Sequence, residues 1–142
     1  MVQAYIIDTS ALIQAFVEDE FTKQALTLIK NVFLQGITLH TPEFVLLECG
    51  NIVWKRTQFN NLALTSALTA IKKIQSVPIK YHFALNYLPR AVEIGVQNQL
   101  AIYDSIVVTL AEALKLPLIT HDKRQLDVAK AINIPIKSLD DL

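Results

Sequence analysis

Residues 103–122 read YDSIVVTLAEALKLPLITHD, and this stretch decides the fold class. Ile106, Val107, Leu110, Ala111 and Leu114 recur at three- and four-residue spacing, the apolar stripe of a helix over Tyr103 to Leu114. Leu116-Pro117-Leu118-Ile119-Thr120 then forms a short apolar run with the length and composition of a buried strand, and Asp122 stands just beyond it. A patterned helix, a buried strand and an acid at the strand's end make up the repeating unit of an α/β protein.

The same order appears at the other end of the chain. Ala4-Tyr5-Ile6-Ile7 reads as a strand and Asp8 follows it, with Thr9 or Ser10 placed to cap a helix through Ala11, Leu12, Ala15 and Phe16. A helix from Phe21 to Leu34 has Gly36 as its terminator, and Ile37 to His40 is the next strand. Thr41-Pro42-Glu43 has the signature of a helix start, and that helix carries Val45, Glu48, Cys49, Ile52 and Val53. Further helices are expected over residues 62–75, 87–98 and 124–132, with short strands at Pro78 to Tyr81 and Ile134 to Lys137. Strands alternating with helices predict right-handed crossovers and a mainly parallel sheet covered on both faces.

The bulk properties agree with one domain spanning residues 1–142. Apolar residues make up 52% and charged residues 18%, so apolar surface is expected beyond the core, as in a homodimer or a hydrophobic partner site. No run approaches the ~18 apolar residues of a membrane span, and the first residues lack the positive segment of a signal peptide, so no membrane role is expected. Cys49 is the only cysteine, which excludes an internal disulfide and favours the cytoplasm. The net charge of zero argues against a surface built for strong nonspecific nucleic-acid binding.

Four acids carry the chemistry. Asp8 and Asp122 follow strands, and the carboxyl ends of parallel strands form the ligand-binding edge of an open sheet. Glu48 lies inside an otherwise apolar helix, where an unpaired carboxylate is costly, and Asn51 on the same helical face is placed to hold it or a water beside it. Asp104 opens the Tyr103–Leu114 helix, where capping and helix-dipole stabilisation also account for an acid. Gathered together, the four would repel one another unless a cation or protons intervened. Such oxygen ligands suit Mg²⁺ or Mn²⁺, and the matching chemistry is attack of a metal-activated water on a phosphodiester.

Four segments carry a family resemblance: Ile6-Ile7-Asp8-Thr9-Ser10-Ala11-Leu12, Glu48-Cys49-Gly50-Asn51, Tyr103 through Ala111, and Leu118-Ile119-Thr120-His121-Asp122. In order and approximate spacing the chain resembles PIN-domain proteins, specifically VapC-type toxins. That resemblance implies a three-layer α/β/α fold and a magnesium-dependent endoribonuclease silenced by a cognate antitoxin. It also implies Asp8 and Asp104 as principal metal ligands, with Glu48 and Asp122 completing the cluster and Ser10 and Thr120 hydrogen-bonding the acids. Asp127 reads as a solvated helix residue and His121 as a surface histidine. Gly50, costly inside a helix, suggests close backbone packing.

Other readings are weaker. A non-catalytic RNA-processing or scaffold protein of the same fold has no reason to keep four mutually repelling carboxylates. A dehalogenase-like phosphatase would want a second Asp two residues after Asp8, where Ser10 stands, and a phospho-receiver would want an acceptor Asp after a middle strand. Lys55-Arg56, Lys72-Lys73 and Lys123-Arg124 read as solvated helix surface, the last pair being best placed to meet RNA because it adjoins Asp122.

Overall fold

The computed structural model describes residues 3–142; Met1 and Val2, which open the N-terminal run, lie outside the described residues. Strands β1 (Ala4–Ile7), β2 (Thr38–Pro42), β3 (Lys80–His82) and β4 (Leu118–Ile119) form one sheet in the order β3-β2-β1-β4. Every neighbouring pair is parallel: Tyr5 lies opposite Leu39, Ile7 opposite Ile119, and Thr41 opposite Tyr81. Helices α1 (Thr9–Leu12) and α2 (Thr22–Gln35) connect β1 to β2, and α3 (Phe44–Phe59) and α4 (Leu64–Ser76) connect β2 to β3. Helices α5 (Leu88–Asn98) and α6 (Ile102–Leu114) return the chain across the sheet to β4, and α7 (Lys123–Ala131) follows.

Right-handed crossovers require α1–α4 on one face and α5–α7 on the other, because the chain reverses direction across the sheet after β3. The result is the expected three-layer α/β/α sandwich. Strands β1 and β4 are buried on both faces, which is why Tyr5, Ile6, Ile7, Leu118 and Ile119 are apolar and almost fully covered, whereas the edge strand β3 is largely exposed. Helix α6 buries more than its stripe. The seven consecutive residues Ser105–Ala111 are all buried, since α6 packs on β1 and β2 and also against α5 and α7. Two polar residues in that stretch are satisfied internally: the Ser105 hydroxyl donates to the Leu100 carbonyl and the Thr109 hydroxyl to the Ser105 carbonyl.

Local structure corrects several sequence expectations. Asp8, not Thr9 or Ser10, caps α1, accepting from the Ser10 amide, because the chain enters the helix one residue earlier than the hydroxyls suggest. Thr41 and Pro42 do not start a helix. They extend β2, and α3 begins at Phe44, because the Thr41 hydroxyl donates to the Ile7 carbonyl at 2.6 Å and thereby ties β2 to the end of β1. The last expected strand shrinks to a single bridge between Ile136 and Leu118. Gly36 does end α2, with a left-handed φ of 71° that suits glycine. At the sheet edge, the imidazoles of His40 and His82 meet at 2.9 Å, and burial holds both below the usual histidine range.

The helical glycines also differ from expectation. Gly50 is not a close-packing site, because a methyl group built there meets nothing within 4 Å. A methyl at Gly95 would stand 2.7 Å from the Leu100 carbonyl oxygen and 3.0 Å from the Ser105 hydroxyl, so Gly95 is what lets α5 approach α6. Gly50→Ala is therefore expected to raise stability by up to about 1 kcal/mol. Gly95→Ala is expected to lower it by about 1–3 kcal/mol, as overpacking does. Urea titration of the two variants beside the parent checks both signs.

Candidate active site

β1 and β4 are neighbours, yet the chain leaves them toward opposite sides of the sheet. Their carboxyl ends therefore flank the crevice where open α/β sheets bind ligands. Asp8 leaves β1 directly into this crevice, and Thr120 and Asp122 leave β4 beside it. Asp122 caps α7 by accepting from the Arg124 and Gln125 amides, so both strand-end acids hold a helix start in place as well. Glu48 arrives from the second turn of α3 and Asp104 from the first turn of α6.

Hydrogen bonds from Ser10, Thr120 and Gln125 surround three of these acids, Asp8, Asp104 and Asp122. The Ser10 hydroxyl donates to Asp8 Oδ2 at 3.0 Å and accepts from the His121 amide at 2.9 Å. The Thr120 hydroxyl oxygen lies 3.1 Å from that of Ser10 and 3.3 Å from Asp8 Oδ2, and it accepts from the Asp122 amide at 3.0 Å. A hydroxyl has one proton to give, and the shortest acceptor of Thr120 is Gln125 Oε1 at 2.8 Å. Gln125 Nε2 then donates to Asp104 Oδ1 at 3.2 Å. The amide orientation follows from chemistry, since a carboxylate can only accept. Gln125 is completely buried, so the Thr120–Gln125–Asp104 bridge is shielded from water, while Asp8 beside it is held by the Ser10 amide and hydroxyl.

Glu48 is held separately, by the Thr9 hydroxyl at 2.6 Å. Burial pushes its carboxyl above the usual range; the Thr9 hydrogen bond opposes this, and the Asp8 and Asp104 carboxylates add to it. Asp104 is raised chiefly by burial as well, then by Asp122 and Asp8, while Arg124 and Gln125 pull it back. Asp8 and Asp104 thus lie within electrostatic reach of Glu48, and Asp8 and Asp122 within reach of Asp104. Among the described residues, however, no three His, Cys, Asp or Glu side chains converge into a ready-made metal cage.

The remaining candidates sort clearly. Asn51 is exposed and makes no hydrogen bond to Glu48, because Thr9 takes that place. Asp127 is exposed on α7, as expected. His121 is not a free surface histidine: its ring stacks on Phe21 with centroids 4.2 Å apart, and its Nε2 is buried without a partner. Arg56 pairs with Asp19 at 3.2 Å, whereas Lys123 and Arg124 stay exposed beside Asp122. The Cys49 thiol is buried and pushed up to about 12, which makes it an inert apolar group. Sequence reasoning missed Thr9 and Gln125. The signal for Gln125 was present: it falls in register with Val128, Ala129 and Ile132, a polar residue on the apolar stripe of α7.

With this arrangement in view, the family profile of the PIN domain matches residues 5–131, and the chain belongs to the PIN domain family. Among characterised proteins it is similar to Ribonuclease VapC3 of Pyrobaculum aerophilum, at 24% identity over 132 residues, covering 92% of this chain and 98% of that one. The fold matches the crystal structure of PAE2754 from Pyrobaculum aerophilum with a TM-score of 0.72 at 20% identity, covering 99% of this chain and 93% of the other. It also matches Mycobacterium tuberculosis VapC20, described as a Sarcin-Ricin loop cleaving toxin, with a TM-score of 0.64 at 15% identity, covering 89% and 94% of the two chains.

Proposed function

We propose that this protein is a magnesium-dependent endoribonuclease that cuts RNA phosphodiester bonds and serves as the toxin of a toxin–antitoxin pair. The observation that carries the reading is the placing of two carboxylates at the sheet's switch point, Asp8 held by the Ser10 amide and hydroxyl and Asp104 by the buried Thr120–Gln125 bridge. Asp8 and Asp104 are the principal metal ligands in this reading, and Glu48 and Asp122 complete the site or orient water. The donors are hard oxygens, which fit Mg²⁺ and also Mn²⁺. Bound there, the ion would lower the pKa of an attacking water and neutralise charge on the phosphate. The protein's own part is to hold the carboxylates in place before substrate arrives, at a site already lined with buried hydrogen bonds.

The ribonuclease name of the Pyrobaculum relative and the toxin description of VapC20 support RNA as the substrate and an antitoxin as the partner. Exposed apolar side chains support protein partners generally: Trp54, Phe59, Leu64 and Leu68 on α3 and α4, and Val92 and Val96 on α5. A homodimer and an antitoxin would each cover such surface. A cytoplasmic setting accords with the single inert thiol, and among the described residues no helix is long and apolar enough to cross a membrane.

Incubation of the pure protein with a broad panel of end-labelled RNAs tests the reading. Cleavage is expected with Mg²⁺ or Mn²⁺, lost on adding EDTA and restored by excess metal. No cleavage of any RNA, with RNA binding intact, would favour a scaffold of the same fold instead.

A further inference from the structure

Next to the carboxylates lies a cavity of about 260 Å³ that the proposed chemistry does not use. It is lined by Phe44, Leu47, Glu48 and Asn51 from the first two turns of α3 and by Tyr103 from the first turn of α6. Three of these residues are unusual for their positions. Tyr103 is 64% exposed and Leu47 75% exposed, although both carry large apolar surfaces. Asn51 is exposed with no hydrogen-bond partner, so its amide offers a free donor and a free acceptor. Phe44 is buried beneath them and holds the edge of Tyr103 in a T-shaped contact, with centroids 5.1 Å apart at 81°.

We infer that this cavity binds one nucleobase of the RNA strand, beside the phosphate to be cut. The inference rests on the nuclease reading for the identity of the strand, and on the cavity for the rest. Its volume falls below the ~300–1,000 Å³ of sites for whole drug-sized ligands, so it suits a single planar ring system. Its lining offers an aromatic ring and an aliphatic side chain for stacking, together with an amide that can pair with the donor and acceptor on a base edge. No cation lines it, and Glu48 would repel a phosphate there, so the base enters it and not the backbone. Glu48 belongs to both the cavity and the acidic site, and Tyr103 precedes Asp104 in the chain. A nucleotide whose phosphate meets the acids therefore has its own base within reach of this cavity. Single-stranded RNA is read in this way, by stacking splayed bases on aromatic side chains.

The test uses nucleotides that an endonuclease cannot cut. The four nucleoside 5′-monophosphates, with ribose 5-phosphate as the control, are titrated in Mg²⁺ into the ¹⁵N-labelled protein. The nucleotides are expected to shift the Asn51 side-chain amide and the Leu47 backbone amide, and ribose 5-phosphate to leave both in place. Tyr103→Ala is expected to weaken nucleotide binding by roughly 5- to 150-fold, the range of one lost stacking contact, and Tyr103→Phe to restore it. Tyr103 is exposed, so folding is not at risk in either variant. Equal shifts with ribose 5-phosphate, or unchanged affinity in Tyr103→Ala, would overturn the inference. So would a cavity that answers only to an antitoxin protein, which would make it a docking surface. RNA cleavage assayed on the same samples separates the two readings. Cleavage without base binding leaves the nuclease standing and removes the subsite; base binding without cleavage does the reverse.

Discussion

Asp104→Asn is expected to abolish RNA cleavage, lowering the rate by at least about a thousandfold, while the protein stays folded and becomes no less stable in EDTA. The exchange is nearly isosteric, and the asparagine carbonyl can still accept from Gln125 Nε2. What it removes is a charge. In the proposed site that charge binds the ion, and losing several kcal/mol of transition-state stabilisation converts to roughly three powers of ten. The stability argument runs the other way. Burial, Asp122 and Asp8 all disfavour an ionised Asp104, so neutralising it without metal removes repulsion. A site that trades stability for function shows this paired outcome. Cleavage gels in Mg²⁺ and thermal melts in EDTA read the two halves. A folded Asp104→Asn protein that still cuts RNA within tenfold of the parent would remove Asp104 from the metal site. Asp8→Asn is expected to behave in the same way in cleavage, since Asp8 is the other principal metal ligand in the proposed site.

The second large effect is expected at Gln125, a residue that touches neither metal nor substrate in the proposed reading. Gln125→Leu keeps approximate size but removes both ends of the bridge, turning the Thr120 hydroxyl toward Asp8 Oδ2 and leaving the Asp104 carboxylate without its amide donor. Loss of this buried bridge is expected to cost about 1–3 kcal/mol in stability. Loss of a partner that orients a metal ligand costs about 10- to 100-fold in metal affinity or activity. Gln125→Glu should be worse, because it places a third negative charge against Asp104 in a fully buried position. Melting temperature and Mg²⁺ affinity, measured on both variants, distinguish a positioning role from simple core packing. If Gln125→Leu melts lower yet binds Mg²⁺ and cuts RNA as the parent does, the bridge supports the fold alone.

The contrast between Asp104 and Gln125 shows where the sequence was legible. Asp8 and Asp122 could be picked out because each ends an apolar run, and strand ends are where parallel sheets present ligand groups. Glu48 stood out against its apolar helix. Gln125 was overlooked because a single glutamine on a helix is ordinary until its partners are known. Helix spacing points to Asn51 as the partner of Glu48, but Thr9, 39 residues away in sequence, holds that place. Thr41 and Pro42 carried a good helix-start signal, yet the structure spends them on strand β2. The local preference lost to one buried tertiary hydrogen bond to Ile7.

The sequence by itself determined the class of the fold. Period and composition of the apolar residues are local properties, and short apolar runs alternating with amphipathic stripes admit one kind of layered, parallel arrangement. It also determined which residue types were available for metal chemistry. Only the tertiary structure decided how the acids of residues 103–122, quoted at the outset, meet those of the first fifty. Asp104 comes within reach of Asp8 and Asp122 because β4 lies beside β1 at the switch point, with the Thr120–Gln125 bridge holding Asp104. Such contacts depend on the geometry of crossovers and on which buried polar atom can satisfy another, and neither is written in any local stretch of the chain.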